Sequence, residues 1–389
     1  MKGIILLVSI FLIQQSHAQS YKKIHRKAIV ADTHNDILMK AAETGLVFDN
    51  DLTQKAHSDL ARWKAGGLDL QVFSVYCDGD VKNAYAFANR EIDSLDAIIA
   101  RNTGKIAKVA NYKDLLKTMR HHKLAAMLGV EGGHMIEDDL FKLDSFYKRG
   151  VRYLTITHNI APSWATSAKD ENTSPNLTHK GLSDFGKQVV LHMNQLGMII
   201  DVSHAGEQTF WDIIKLTSKP VMASHSSVYH LVPHRRNLKD DQIKAIAKTG
   251  GVIQVSFNPG FIDSSFDRKE TAFFEEHVVE KDSLLKSGLG EFYMMDYLYK
   301  KYHEEGNRMR PPLSMVIDHI VYIEKLVGID YVGLGSDFDG INLTPQQLDD
   351  VASYPYITRA LVNKGYSKQD IAKILGENFL RVFKANEEK

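Results

Sequence analysis

Along the chain, short runs of apolar and β-branched residues alternate with longer stretches whose apolar positions recur every three or four residues. The short runs fall at residues 27–33, 68–76, 124–130, 151–157, 198–203, 221–224, 252–257 and 331–336. Most are continuously apolar rather than alternating, as expected of strands buried on both faces. The longer stretches predict helices at 84–102, 140–149, 182–196, 207–217, 240–248 and 315–327, and Gly150, Gly197, Gly250 and Gly328 stand where four of them should stop. A closing stretch, 368–384, places Ile371, Leu375, Phe379 and Phe383 four residues apart on one face. Eight β-α units in one chain predict an α/β fold, a closed (β/α)8 TIM-type barrel. A doubly wound open sheet is the alternative.

One stretch breaks the rhythm. Residues 262–312 separate the seventh strand from its helix, and they are charged, aromatic and helix-compatible, with Tyr293, Met294, Met295, Tyr297, Tyr299 and Tyr302 close together. A connection of this length is uncommon unless it serves a function. It is expected to be a helical insertion that covers the barrel mouth, forms a subunit contact, or decorates the surface.

Composition narrows the class. The 389 residues carry 48 Lys+Arg against 48 Asp+Glu, so the chain lacks the basic footprint that nucleic acid or an anionic membrane would require. With 44% hydrophobic and 25% charged residues it reads as an ordinary globular chain. Cys77 is the single cysteine, which excludes an intramolecular disulfide and a thiolate-built zinc site. Met1 and Lys2, the apolar run 3–13 and Ser16-His17-Ala18 have the layout of a cleaved secretory signal peptide over residues 1–18. The run is too short to span a hydrocarbon core of about 30 Å, which disfavours the alternative of an N-terminal anchor. The expectation is one exported domain over 19–389, periplasmic or secreted, with the insertion at 262–312 and no membrane anchor.

The strand ends carry the candidate chemistry, because in such barrels the reaction sits at the C-terminal ends of the strands. Those ends read His34-Asn35-Asp36, Glu131, His158, His204, His225, Asn258 and Asp337. One histidine at a strand end is an ordinary hydrogen-bonded residue; six ends finishing in imidazole or carboxylate form a metal-site pattern. His34 and Asp36 are two apart and face the same way on extended chain, within reach of one Zn²⁺. Glu131 offers two oxygens that can bridge two cations. His204 and His225 close consecutive strands, about 4.8 Å apart, and can share a second metal. Nitrogen and oxygen donors without thiolate fit zinc, with manganese or cobalt as alternatives. No Gly-x-Ser-x-Gly elbow supports a serine hydrolase.

The motifs Val130-Glu131-Gly132-Gly133-His134, Arg152 to Asn159, Ser224-His225-Ser226-Ser227, Arg235-Arg236-Asn237 and Gly335-Ser336-Asp337-Phe338-Asp339-Gly340 resemble the membrane (renal) dipeptidases, zinc enzymes of the amidohydrolase-like barrel group. The likeness runs from about His34 to Phe383. It implies two zinc ions per subunit, with His34 and Asp36 on the first, Glu131 bridging, and His204 and His225 on the second. It further implies that His158 contacts substrate near the scissile carbonyl and that Arg236 holds the substrate's C-terminal carboxylate. Asp337 would face the attacked bond and the free amine. Glu131, His158 and Asp337 are the catalytic candidates, and His158, Arg236 and Asp337 the substrate-binding ones. The implied reaction is zinc-dependent hydrolysis of free dipeptides, L-Xaa-L-Xaa with L-Xaa-D-Xaa left open, through a metal-bridging hydroxide, in a homodimer. Two other readings remain: another dinuclear barrel hydrolase of lactonase or phosphotriesterase type, and a non-catalytic exported protein that binds peptide or zinc.

Overall fold

The computed structural model describes residues 21–174 and 177–388, so the expected signal segment 1–18 lies outside the described residues. Nine strands form one parallel sheet: β1 (Ala31–Asp32), β2 (Leu70–Val75), β3 (Ile106–Lys108), β4 (Leu124–Glu131), β5 (Val151–Thr155), β6 (Ile199–Asp201), β7 (Met222–Ala223), β8 (Val252–Val255) and β9 (Val332–Leu334). Their order is β1-β2-β4-β5-β6-β7-β8-β9, with β3 attached to β4. The two ends of this path meet. Thr33 N–H donates to Leu334 O at 3.2 Å, Asp36 N–H to Phe338 O at 2.9 Å and Asp337 N–H to His34 O at 3.2 Å, and Asn35 bridges Phe338 in parallel. Eight strands therefore make the expected barrel.

Each of the eight predicted runs holds one barrel strand, though the first is shorter than expected. Its ladder is confined to Ala31–Asp32, because residues 26–28 form a turn instead. β3 was not anticipated. Its three residues pair with Leu124–Ala126 of β4, while β5 takes the rest of the same edge from Leu128, where the register shifts. Helices Ile37–Thr44, Leu60–Gly66, Tyr112–Arg120 and Tyr354–Asn363 are further additions to the sequence reading.

The period of two along β4 explains both the core and the site. Ala125 and Met127 face the barrel interior with Leu70, Val72, Tyr153, Ile199, Met222 and Val252, whereas Ala126, Leu128 and Val130 pack outward against the helices. Continuing the inward row gives Gly129 and then Glu131. A Cβ on Gly129 would lie 2.1 Å from Tyr153 Cζ, so the glycine leaves the space that the tyrosine ring fills. The closing segment fills the other end of the barrel. Phe379, Leu380, Val382 and Phe383 join the inward residues in one cluster, and a π-helical turn at Lys373–Glu377 brings Gly376 against Ile29.

The insertion is helical, with Phe266–Glu276, Val278–Lys286, Glu291–Lys301 and His303–Met309. It buries an apolar cluster of its own: Phe266, Phe273, Met294, Leu298, Tyr299 and Met309. Among the described residues no helix is long and apolar enough to cross a membrane.

Two stability outcomes follow from the packing. Gly129→Ala forces a methyl into the Tyr153 ring and should lower the unfolding free energy by about 1–3 kcal/mol, read as a lower urea midpoint at constant m-value. An unchanged midpoint would show that the ring yields without cost. Glu91, on helix Ala84–Arg101, is 1% exposed; one oxygen accepts Tyr76 N–H at 2.9 Å and the other has no partner among the described residues. Burial raises its pKa well above the ordinary 4.5. A folded-state value above the unfolded one means that stability is full at pH below about 4.5 and falls as pH rises through the raised value. Glu91→Gln should remove that slope, so that denaturation midpoints measured between pH 5 and pH 9 stay flatter than in the unsubstituted protein.

Candidate metal centre

Two buried aspartates set the strand ends from which the candidate ligands project. Asp32, closing β1, accepts from Ser336 N at 2.8 Å, Ser336 Oγ at 2.7 Å and Gln71 Nε2 at 3.0 Å, which joins β9, β1 and β2. His34 and Asp36 follow directly. Gly340 leaves them room, since a Cβ there would stand 2.3 Å from Asp36 Oδ2 and 2.8 Å from Asp337 Oδ1. Asp201, closing β6, does the same work on the other side of the barrel. It accepts from Ser203 N at 3.0 Å, Ser224 N at 2.8 Å, Ser224 Oγ at 2.6 Å and Thr155 Oγ1 at 2.6 Å, joining β5, β6 and β7. His204 and His225 project beyond it. His204 and Asp337 both hold the left-handed backbone region, with φ of 63° and 66°. Such conformations persist only where their surroundings enforce them.

Glu131 occupies the middle. Its Oε1 lies 3.1 Å from His204 Nε2 and 3.3 Å from His225 Nε2, and its Oε2 lies 3.3 Å from His34 Nε2. His34 Nε2 is also 3.4 Å from Asp36 Oδ2, and the two Nε2 atoms of His204 and His225 are 3.1 Å apart. Proton counting shows what these atoms present. Tyr153 Oη donates to Thr33 O at 3.2 Å, so at 2.9 Å it accepts from His34 Nδ1. Ser224 Oγ gives its proton to Asp201, so at 2.8 Å it accepts from His225 Nδ1. In the neutral rings both Nε2 atoms are therefore bare lone pairs, turned toward carboxylate oxygens.

Lone pairs of nitrogen and oxygen facing one another in a buried space are repulsive unless a cation stands among them. Among the described residues His34 Nε2 and Asp36 Oδ1 have no hydrogen-bond partner. Burial works against charge on His34, yet Tyr153, Glu131 and Asp36 outweigh it and raise its pKa well above 6.5, the mark of a strongly cation-favouring field. Burial, with Arg236 and neighbouring imidazoles, holds His204 and His225 well below 6.5, so they remain neutral donors. The donor set fits a divalent metal: His34, Asp36 and Glu131 converge on one point, and Glu131, His158 and His204 on another. Asp337 converges with His34 and His225 as well.

The centre opens into a cavity of about 400 Å³. Asp337 stands in its wall, its carboxyl pushed well above the usual range by burial and by Asp36. Arg236 is buried; its Nη1 reaches Ser226 Oγ at 3.5 Å and its Nη2 His225 O at 3.3 Å, while Nε has no partner among the described residues. Burial lowers its pKa to about 10, so it stays cationic at neutral pH. His158 Nδ1 lies 3.1 Å from Tyr76 Oη, which donates to Asp78 at 2.5 Å. The proton on His158 Nδ1 is therefore directed at Tyr76, and burial and Arg236 keep the ring neutral.

Of the eight residues singled out in the sequence, Asp36, Glu131, His158, His204, His225, Arg236 and Asp337 line this cavity, and His34 sits behind them against Glu131. Asn258 lines it too. Asp339, a turn residue before Gly340, instead anchors the loop by accepting His57 N–H at 2.8 Å and Lys40 Nζ at 3.4 Å. Sequence reasoning missed Tyr153, Tyr76 with Asp78, and the Asp32 and Asp201 networks. An aspartate at the end of an otherwise apolar strand, two residues before a histidine or a serine, was the available signal for the last two.

Comparison with known proteins agrees with this geometry. The family model described as membrane dipeptidase (peptidase family M19) matches residues 18–389. An uncharacterized dipeptidase of Schizosaccharomyces pombe is 31% identical over 390 residues, covering 95% of this chain and 83% of its own. The probable dipeptidase PvdM of Pseudomonas aeruginosa superposes with a TM-score of 0.79 at 25% identity, over 96% of this chain and 99% of that one. A metallo peptidase of Rhodobacter sphaeroides, solved with a phosphinate mimic of the dipeptide L-Ala-D-Ala, superposes at 0.73 with 22% identity, over 92% and 100% of the two chains. The metal-donor cluster at the barrel mouth thus belongs to a metallo-dipeptidase, and the chain is a member of the membrane dipeptidase family, M19.

Proposed function

We propose that the protein is an exported zinc dipeptidase that hydrolyses free dipeptides, with His34, Asp36, Glu131, His204 and His225 holding two ions. The observation that carries this reading is the coexistence, in one cavity, of the buried donor cluster with a buried, partly unsatisfied arginine and the carboxyl of Asp337. When bound, the metal pair would supply Lewis acidity for the carbonyl and lower the pKa of water toward about 7.

The chain's own groups supply the rest. The guanidinium of Arg236 pairs with the terminal carboxylate of the substrate through charge-assisted hydrogen bonds, in a fork geometry that lysine lacks. Asp337, with raised proton affinity, accepts a proton from the attacking water and delivers it to the leaving amine nitrogen. His158, neutral and donating to Tyr76, keeps its other ring nitrogen as an acceptor and receives a hydrogen bond from substrate beside the scissile bond. An anchored carboxylate and an anchored amine leave length for two residues. The signal-like segment 1–18 supports export to a periplasm or beyond the cell.

Asp337→Asn should lower kcat by roughly 10²–10⁴-fold while the metal content, measured by elemental analysis, is unchanged. Arg236→Lys should reduce kcat/KM by roughly tenfold or more, chiefly through KM, because a charged hydrogen-bonded pair contributes about 1.5–3 kcal/mol. A panel of L,L and L,D dipeptides, with a tripeptide and an N-blocked dipeptide as controls, tests the anchored ends; the L,D arm is included because the Rhodobacter neighbour holds an L-Ala-D-Ala mimic. Chelation should abolish turnover and zinc restore it. Equal cleavage of the N-blocked peptide, or turnover of lactones or phosphotriesters alone, would overturn the proposal.

A further inference from the structure

The insertion contributes a wall to the cavity. Glu291–Lys301 buries Met294 and Leu298 in the insertion's own apolar cluster, and Phe292, two residues before Met294, sits roughly 200° around the helix from it. That places Phe292 on the opposite side, where it lines the cavity together with Met39. Two hydrogen bonds fix it there. Asn342 Nδ2 donates to Phe292 O at 3.1 Å, and Tyr293 Oη donates to Glu43 Oε2 at 2.6 Å. Asn342 lies on the loop that carries Asp337, and Glu43 on the helix that follows Asp36. The ring is therefore referenced to both loops of the β9–β1 side, while Arg236, over the Phe261 ring at 5.3 Å, comes from the loop after β7.

Resting on the dipeptidase reading above, we infer that Phe292, with Met39, forms the subsite for the side chain of the substrate's N-terminal residue, and that the enzyme prefers large apolar side chains there. The carboxylate end of the substrate belongs to Arg236 and the amine end to Asp337. The side chain next to the amine accordingly falls on the Phe292 side. The Phe292 ring and the Met39 thioether offer dispersion and apolar burial, while Glu43, on the same wall, is engaged by Tyr293 Oη. Because the insertion has its own core behind Phe292, the wall is preformed rather than assembled by the ligand.

The test compares kcat/KM for Phe-Gly, Leu-Gly and Gly-Gly on the full-length, zinc-loaded protein. The unsubstituted enzyme should favour Phe-Gly and Leu-Gly over Gly-Gly, and Phe292→Ala should lower the Phe-Gly to Gly-Gly ratio roughly tenfold. Phe292→Leu, which keeps an apolar side chain should the alanine variant fail to fold, should retain Leu-Gly turnover better than Phe-Gly. Tyr293→Phe should raise KM for Phe-Gly with little change in kcat, the signature of a positioning residue. A preference for Gly-Gly in the unsubstituted enzyme, or a ratio unmoved in both Phe292 variants, overturns the subsite while leaving dipeptidase activity standing. Absence of turnover on every dipeptide overturns the reading beneath it, and the subsite with it.

Discussion

The contact on which the molecule is organised is a buried carboxylate facing three imidazole nitrogens: Glu131 against His34, His204 and His225 at 3.1–3.3 Å. In a low-dielectric space these groups repel unless positive charge stands between them. The surrounding scaffold holds them in place regardless. Asp32 and Asp201 each tie three strand ends together through serine, threonine and glutamine donors, so the ligand-bearing loops start from fixed points on two sides of the barrel. Tyr153 lies beneath the centre, filling the space that Gly129 vacates and holding the His34 ring by Nδ1. Partners of this outer kind set ring orientation and donor strength as much as the ligands themselves do.

The cavity above the centre is uneven in charge and polarity, and that unevenness comes from the connections rather than the strands. Arg236 and Phe261 follow β7 and β8, whereas Met39 and Glu43 follow β1 and the insertion supplies Phe292. A peptide with two charged ends thus meets a cation at one side and acidic groups at the other. The common barrel provides the reaction, and the connections provide the fit.

Much of this was legible in the chain itself, for a physical reason. Barrel strands are buried on both faces and read as unbroken apolar runs, so a histidine or carboxylate at the end of such a run stands out; His34, Glu131, His204 and His225 were visible on that account. β3 was hidden because three residues pairing with half of an edge leave no pattern. Helix Ile37–Thr44 was hidden because its N-cap, Asp36, makes no side-chain capping bond and reads as a ligand instead. Tyr153 looked like core in an apolar strand, and only the neighbouring Gly129, unremarkable in sequence, reveals that its hydroxyl reaches His34. Phe292 was one aromatic residue among many in a segment whose fold depends on contacts within itself.

The barrel is sealed by the parts of the chain made last. β1 has its partner on one side only after residues 332–338 exist, and the base of the barrel is filled by Phe379 and Phe383. Until then β1 is held by β2 alone, and Asp337 is missing from the cavity wall. Completing the donor cluster consequently depends on contacts spanning some three hundred positions. A fragment ending before residue 332 would therefore carry most of the donors and no closed cup to hold them.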